Sequence, residues 1–228
     1  GRQGWMINQK LEFGDYNTGR VQRSWTRGGN TRLDLPFGTV SDPDYPSLIS
    51  MEYVHRNQAY YFQLSDTHGN ISDVYATSSY NSGDRQIGNN PNSVINILED
   101  IFGIADYAED LFYLQLYIND ERRPWQLLLD NNASTFFADK YQGVFALDEK
   151  TYFTLKPLTS VHGKKGPVEV WGGDSLGFEI FNSSNESVGA VSLTDNGKVY
   201  LHSKDPKERF ILANLSAALL LKENIAEE

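Results

Sequence analysis

The sequence predicts a mainly β fold, an antiparallel barrel or strongly curved sheet enclosing a hydrophobic helix near the C-terminal end. Three observations predict it. Short apolar runs recur along the chain with turn residues between them. Aromatic residues reach 13%, with 13 Tyr and 12 Phe, side chains that suit a pleated, half-buried surface. Finally, the stretch from Phe210 to Leu221 is apolar at ten of its twelve positions. The 228 residues are read as a single domain, 1–228, with 1–47 as an N-terminal arm and 205–225 as the enclosed helix.

The arm carries two strand-like fragments, Lys10 to Phe13 and Arg20 to Trp25, separated by Gly14 and Gly19. It is either a strand-bearing segment or a loop laid on the body. Leu48 to His55 and Ala59 to Leu64 read as strands. The Asp66–Asn70 turn then returns the chain into Ile71 to Thr77 as a hairpin. Residues 78–92, polar with two glycines and a proline, read as a loop, and Ser93 as the cap of a short helix ending at Gly103.

From Leu111 the β pattern is sustained. Expected strands are Leu111 to Ile118, Pro124 to Leu129, Ser134 to Ala138, Gly143 to Leu147 and Tyr152 to Leu158. Pro167 to Trp171, Gly177 to Phe181, Val188 to Leu193 and Val199 to His202 follow. Turn residues such as Ser183-Ser184-Asn185 and Asp195-Asn196-Gly197 join neighbours antiparallel. A parallel sheet would need a crossover helix after each strand, and none is predicted between them.

Asp205, Pro206 and Glu208 spell a helix start: a cap, a proline at the first position and a carboxylate for a capping box. A helix lying on a sheet shows one apolar stripe, whereas this one is apolar around nearly its whole circumference. Phe210, Leu212, Leu215 and Leu219 are therefore assigned to the core. Exposure of each such side chain would cost about 1.5–3 kcal/mol. Twelve residues span about 18 Å, short of a bilayer core, so no transmembrane segment is expected. Threading through a barrel satisfies the helix. Pairing with a second copy in a homodimer, or burial between sheet and loop, would do so too.

The run Gly177-Phe178-Glu179-Ile180-Phe181-Asn182, then Ser187 to Val191, then Gly197 to Leu201, leads directly into this helix. That order resembles the closing strands and central helix of the tubby-like fold, shared by tubby proteins, phospholipid scramblases and LURP-one-related proteins. The resemblance covers about residues 150–225. It implies a barrel of roughly twelve strands around a hydrophobic helix, in a separate, bacterial group. Tubby proteins bind phosphoinositides through basic residues, and scramblases are associated with calcium and a membrane segment. No lipid-binding motif of either group matches here residue by residue, so neither activity is carried over.

The net charge is −10, unevenly spread. Residues 1–32 hold six basic against two acidic side chains, so the remainder carries −14. That field disfavours general adhesion to nucleic acid, and no nucleic-acid partner is expected. Cysteine is absent, which removes disulfides, thiolate metal sites and cysteine nucleophiles together. No leader opens the chain and cytoplasmic placement is expected, although Gly1 leaves a removed leader open.

The four histidines, His55, His68, His162 and His202, form no close pair, and no acidic run fits a calcium loop. No metal or cofactor is expected, and no catalytic residue is assigned. Two basic clusters remain: Arg20, Arg23, Arg27 and Arg32 interleaved with Trp25, and Arg122 with Arg123 beside Trp125. A small anionic or phosphate-bearing ligand could dock there. The expected function is a non-enzymatic binding module. A hydrolase with a carboxylate and histidine cleft, or a ligand-free homodimer, is the alternative.

Overall fold

The computed structural model describes residues 2–3, 9–23, 58–80, 111–119, 121–131, 134, 142–163, 166–169, 175–194 and 196–222. Their elements are fifteen strands and one helix. The strands are β1 (Arg2–Gln3), β2 (Lys10–Phe13), β3 (Tyr16–Thr18), β4 (Gln22–Arg23), β5 (Gln58–Asp66), β6 (Ile71–Tyr80), β7 (Leu111–Ile118) and β8 (Trp125–Asp130). β9 (Gly143–Ala146), β10 (Tyr152–Pro157), β11 (Ser160–Gly163), β12 (Gly166–Glu169), β13 (Gly177–Asn182), β14 (Ser187–Ser192) and β15 (Lys198–Leu201) follow, then helix α1 (Pro206–Leu221).

Thirteen strands form one antiparallel sheet in the order β1-β2-β3-β5-β6-β7-β8-β9-β10-β13-β14-β15, with β4 also on β5; β11 and β12 make a separate hairpin. The order is a meander, curved into a nearly closed barrel around α1. Period-two alternation sends Tyr60, Phe62 and Leu64 of β5, Phe112, Leu114 and Leu116 of β7, and Trp125, Leu127 and Leu129 of β8 into one core. β7 and β8 are buried on their other face as well, at Tyr113, Gln115, Gln126 and Leu128. That is why LFYLQLYI reads as a nearly continuous apolar run rather than an alternating one.

Helix α1 fills the interior. All twelve residues from Phe210 to Leu221 are buried, including Asn214 and Ser216. It packs on β6, β14 and β15, Tyr16 of β3 lies against Phe210, and Tyr60 of β5 donates its hydroxyl to the Ala218 carbonyl at 2.7 Å. One chain suffices to bury the helix, without a second copy. Asn214 donates to the Phe210 carbonyl at 2.8 Å and accepts from Ser72 of β6 at 2.5 Å, so the amide is satisfied inside the core, whereas the Ser216 hydroxyl is buried with no hydrogen-bond partner among the described residues. No helix among the described residues is long and apolar enough to cross a membrane.

The helix starts at the expected cap. Asp205 accepts from the Lys207 backbone N–H at 3.0 Å, with Pro206 following it. The capping box is different from expectation: the Asp205 N–H bonds Ser203 Oγ at 3.2 Å, not Glu208. A serine two residues upstream reaches that N–H without ordering a longer glutamate side chain.

Four other expectations change. Residues 78–80, placed in a loop, continue β6 across a register shift to pair Tyr80 with Leu111, since Ser and Tyr extend as readily as they turn. Ser134, placed at the head of a strand, is helical with Asn131, whose carbonyl accepts its hydroxyl at 2.9 Å. Ser160–Gly163 is a strand that periodicity did not announce, paired in register with Gly166–Glu169. Tyr16–Thr18 is a strand the sequence did not announce, and β2, β3 and β4 join the main sheet, as the strand-bearing reading of the arm has it rather than the loop reading. The expected strand 48–55 and helix 93–103 lie outside the described residues.

Three substitutions test the enclosure. Leu215→Ala should cost about 2–5 kcal/mol, a drop of roughly 4–20 °C in the Tm of a chain this long. Leu215→Asp should cost more; an unchanged thermal melt of the monomer would place the helix outside the core. Gly197 sits at φ +75°, and a Cβ there would lie 2.3 Å from Leu220 of α1. Gly197→Ala should therefore lower the Tm through both backbone strain and the clash.

Candidate functional site

The meander gives the sheet two ends. At one end lie the β5–β6, β7–β8, β9–β10 and β13–β14 turns with the start of α1. At the other lies the end of α1. The helix separates them by roughly 22 Å, fifteen rises of 1.5 Å, and the sequence-predicted basic residues divide between the two.

Arg122 and Arg123 occupy the β7–β8 turn at the helix-start end. Asn119 shapes this turn in the left-handed region at φ 47°. Its side chain ties the turn to β6, accepting from the Ile71 N–H at 2.9 Å and donating to Asn70 at 2.9 Å. Arg122 is exposed. Arg123 is half-buried, with Nη1 3.3 Å from Asp148 Oδ2 in the β9–β10 turn. Two residues earlier, Glu121 accepts from Lys207 of α1 at 3.1 Å. The turn is thus fastened to three neighbours, and Arg122 stands on a fixed base.

Asp148 is held below the ordinary carboxylate range. Burial opposes this, but it is outweighed by hydrogen bonds from the Lys150 and Thr151 backbones and Thr151 side chain, with the Arg123 charge added. Asp66, in the β5–β6 turn, is lowered likewise: burial is outweighed by Asn70 side-chain and backbone N–H groups and the His68 N–H. Those bonds are 2.7, 2.9 and 2.8 Å long. His68 Nδ1 lies 3.8 Å from the same carboxylate.

Trp125 is not at the surface beside these arginines. Its side chain turns inward, stacked on Phe153 with centroids 5.5 Å apart and tilted on Phe145 at 5.2 Å. Period two explains this: Trp125 opens β8 on the inward face shared with Leu127 and Leu129, whereas Arg123 lies before the strand, in the turn.

Arg23 lies at the opposite end. Its Nη2 donates to the Leu221 carbonyl at 2.7 Å and to Gln9 Oε1 at 2.8 Å, and its guanidinium lies 5.1 Å from the Tyr60 ring centre. Lys222 joins it there, bonded to Asn131 and 5.6 Å from the Phe112 ring centre. Both cations complement the carbonyl end of α1. Arg20 is exposed in the β3–β4 connection. Arg27, Arg32 and Trp25 lie outside the described residues. Gln9, Asn131 and Lys222 were not picked out in the sequence; a lysine directly after the helical run was the available clue.

Across the outer side of β5 to β7 runs a tyrosine row. Tyr61 donates to Asp73 at 2.6 Å, Gln63 donates to the same oxygen at 3.0 Å, and Tyr75 packs on Tyr61 at 5.0 Å and Tyr117 at 6.0 Å. Burial pushes both the Tyr61 and Tyr75 phenols upward, joined at Tyr61 by its hydrogen bond to Asp73 and at Tyr75 by the Asp73 charge; burial pushes Tyr117 up to about 12. These hydroxyls stay neutral donors. Among the described residues no three His, Asp or Glu side chains gather to hold a metal.

The lowered carboxylates set an acid dependence. A group whose folded pKa is depressed stabilises fully above its unfolded pKa, and that contribution fades as pH falls through the folded value. Stability should therefore be lost below the ordinary carboxylate range. Asp66→Asn and Asp148→Asn should each flatten the acid limb of a Tm-against-pH curve while leaving its shape above pH ~6 unchanged. Comparison with known protein families, curated proteins and solved structures gives no match for this chain.

Proposed function

We propose that the protein is a non-enzymatic binding module that recognises a small anionic, phosphate-bearing ligand at the helix-start end of its barrel, around Arg122 and Arg123. The observation that carries this reading is the fastened β7–β8 turn. Arg123 is pinned by Asp148 and Glu121 by Lys207, so Arg122 is presented on a turn held from both sides. A cation on a fixed base has no backbone left to order when it engages an anion, only its own side chain. The interior supports recognition from outside, because α1 occupies the space where a hollow barrel would seat a ligand. Arg23 is assigned to the helix end rather than to the ligand.

A tubby-like, LURP-one-related kinship belongs to the same proposal. Its support is the enclosed apolar helix following the β13–β14–β15 meander. It adds fold, not activity.

Titration with inositol phosphates, nucleotides and sulfated sugars tests the module. One class should bind with an affinity that falls as salt is raised. Arg122→Glu should weaken it about tenfold or more, the scale of a lost charge-assisted hydrogen bond, with the Tm unchanged. Flat titrations across all three classes would overturn the reading.

A further inference from the structure

Residues 9–23 hold α1 at both ends of its buried run. Tyr16 of β3 packs its ring on Phe210, the first buried residue, with centroids 6.3 Å apart. Arg23 of β4 donates to the carbonyl of Leu221, the last. The last turn of α1 contains no basic residue of its own. The charge at its carbonyl end therefore comes partly from a strand 198 positions away in sequence.

On the side facing the long sheet, the segment that supplies these contacts is secured along one ladder, to β5; on its other side β2 carries two pairs to β1. Tyr16, Asn17 and Thr18 pair with Asp66, Ser65 and Leu64, and Gln22 and Arg23 pair with Tyr61 and Tyr60. Between them Gly19, Arg20 and Val21 stand opposite only Gln63 and Phe62, an extra residue that breaks the ladder into two short halves. β6, by contrast, is paired along both sides, with eight pairs to β5 and seven to β7. Within the segment, Leu11 N–H bonds Thr18 Oγ1 at 2.9 Å and Val21 N–H bonds the Gln9 carbonyl at 3.3 Å. Internally tied, paired to the long sheet only through the interrupted β5 ladder, and seated in the core by Leu11, Tyr16 and Val21, it can part from the body as a piece.

We infer that residues 9–23 are a strap that opens from β5 as a unit, and that its opening unseats the last turn of α1. Arg23 is the latch. Because each element contacts the other only when both are seated, the coupling is reciprocal: loosening the strap loosens the helix end, and the reverse. Opening breaks five strand pairs and the Arg23 bonds and draws Leu11, Tyr16 and Val21 out of the core, while leaving the β6–β10 ladder whole.

Hydrogen exchange on the full chain, read by mass spectrometry, tests this. Amides of the strap and of residues 219–222 should exchange together, ahead of those in β7 and β8. Thr18→Ala removes the hydroxyl that accepts from Leu11, and that hydroxyl makes no hydrogen bond to α1. It should speed exchange of both the strap and the helix end several-fold to about tenfold, with β7 and β8 unchanged. Arg23→Ala should do the same from the other side. The strap is overturned if Thr18→Ala speeds only residues 9–23, if it changes nothing, or if the strap exchanges only with β7 and β8. Should Arg23→Ala fail to fold, Thr18→Ala alone decides.

Discussion

The structure depends on burying a helix that has no polar side to turn to water. A sheet with one apolar face needs a partner on that face, and a helix apolar all round needs a surface on every side. The two requirements are met together when the sheet curls. Each strand sends alternate residues inward, and Phe210 to Leu221 meet them around the whole circumference. The curvature is helped by the irregular places in the ladder, between β6 and β7 and between β13 and β14, where an extra residue bends the strand.

Enclosing a helix leaves its ends as the costly part, because terminal backbone groups lose water without gaining an internal partner. Here the two ends are solved differently. Asp205 caps the start locally, with a serine behind it. The finish is solved at long range, by Tyr60 on the Ala218 carbonyl and Arg23 on the Leu221 carbonyl. Midway, Ser72 and Asn214 pair in the core, a polar contact that fits only one axial position of the helix and so favours a single register. The basic residues sort themselves accordingly: one arginine is drawn to the helix end, and another is pinned in the turn at the far end.

Much of the β pattern was legible from local chemistry. β7 is the predicted Leu111 to Ile118, and β8, β10 and β13 to β15 lie within a residue or two of expectation. They are bounded by asparagine, aspartate and glycine turns with a defined backbone preference. Ser160–Gly163 and Ser78–Tyr80 were less legible, since their residues suit strand and turn alike and pairing decided between them. The site was legible only in part. Arg122 and Arg123 are where a turn should put them. Trp125 looked like their surface neighbour and is instead core, and Arg23 looked like a ligand contact and is instead a helix cap.

What the chain determines by itself is therefore local and compositional: the strands, their turns, the Asp205 cap, and the impossibility of exposing Phe210 to Leu221. Each of these follows from residues within one turn or one strand of each other. The tertiary structure decided which cations meet which partners, because a guanidinium has several acceptors open to it and only the curled sheet brings Arg23 to Leu221 and Arg123 to Asp148. It also decided that β2 to β4 form part of the wall, since a two- or three-residue strand has too few pairs to stand until a neighbour supplies the other half of the ladder.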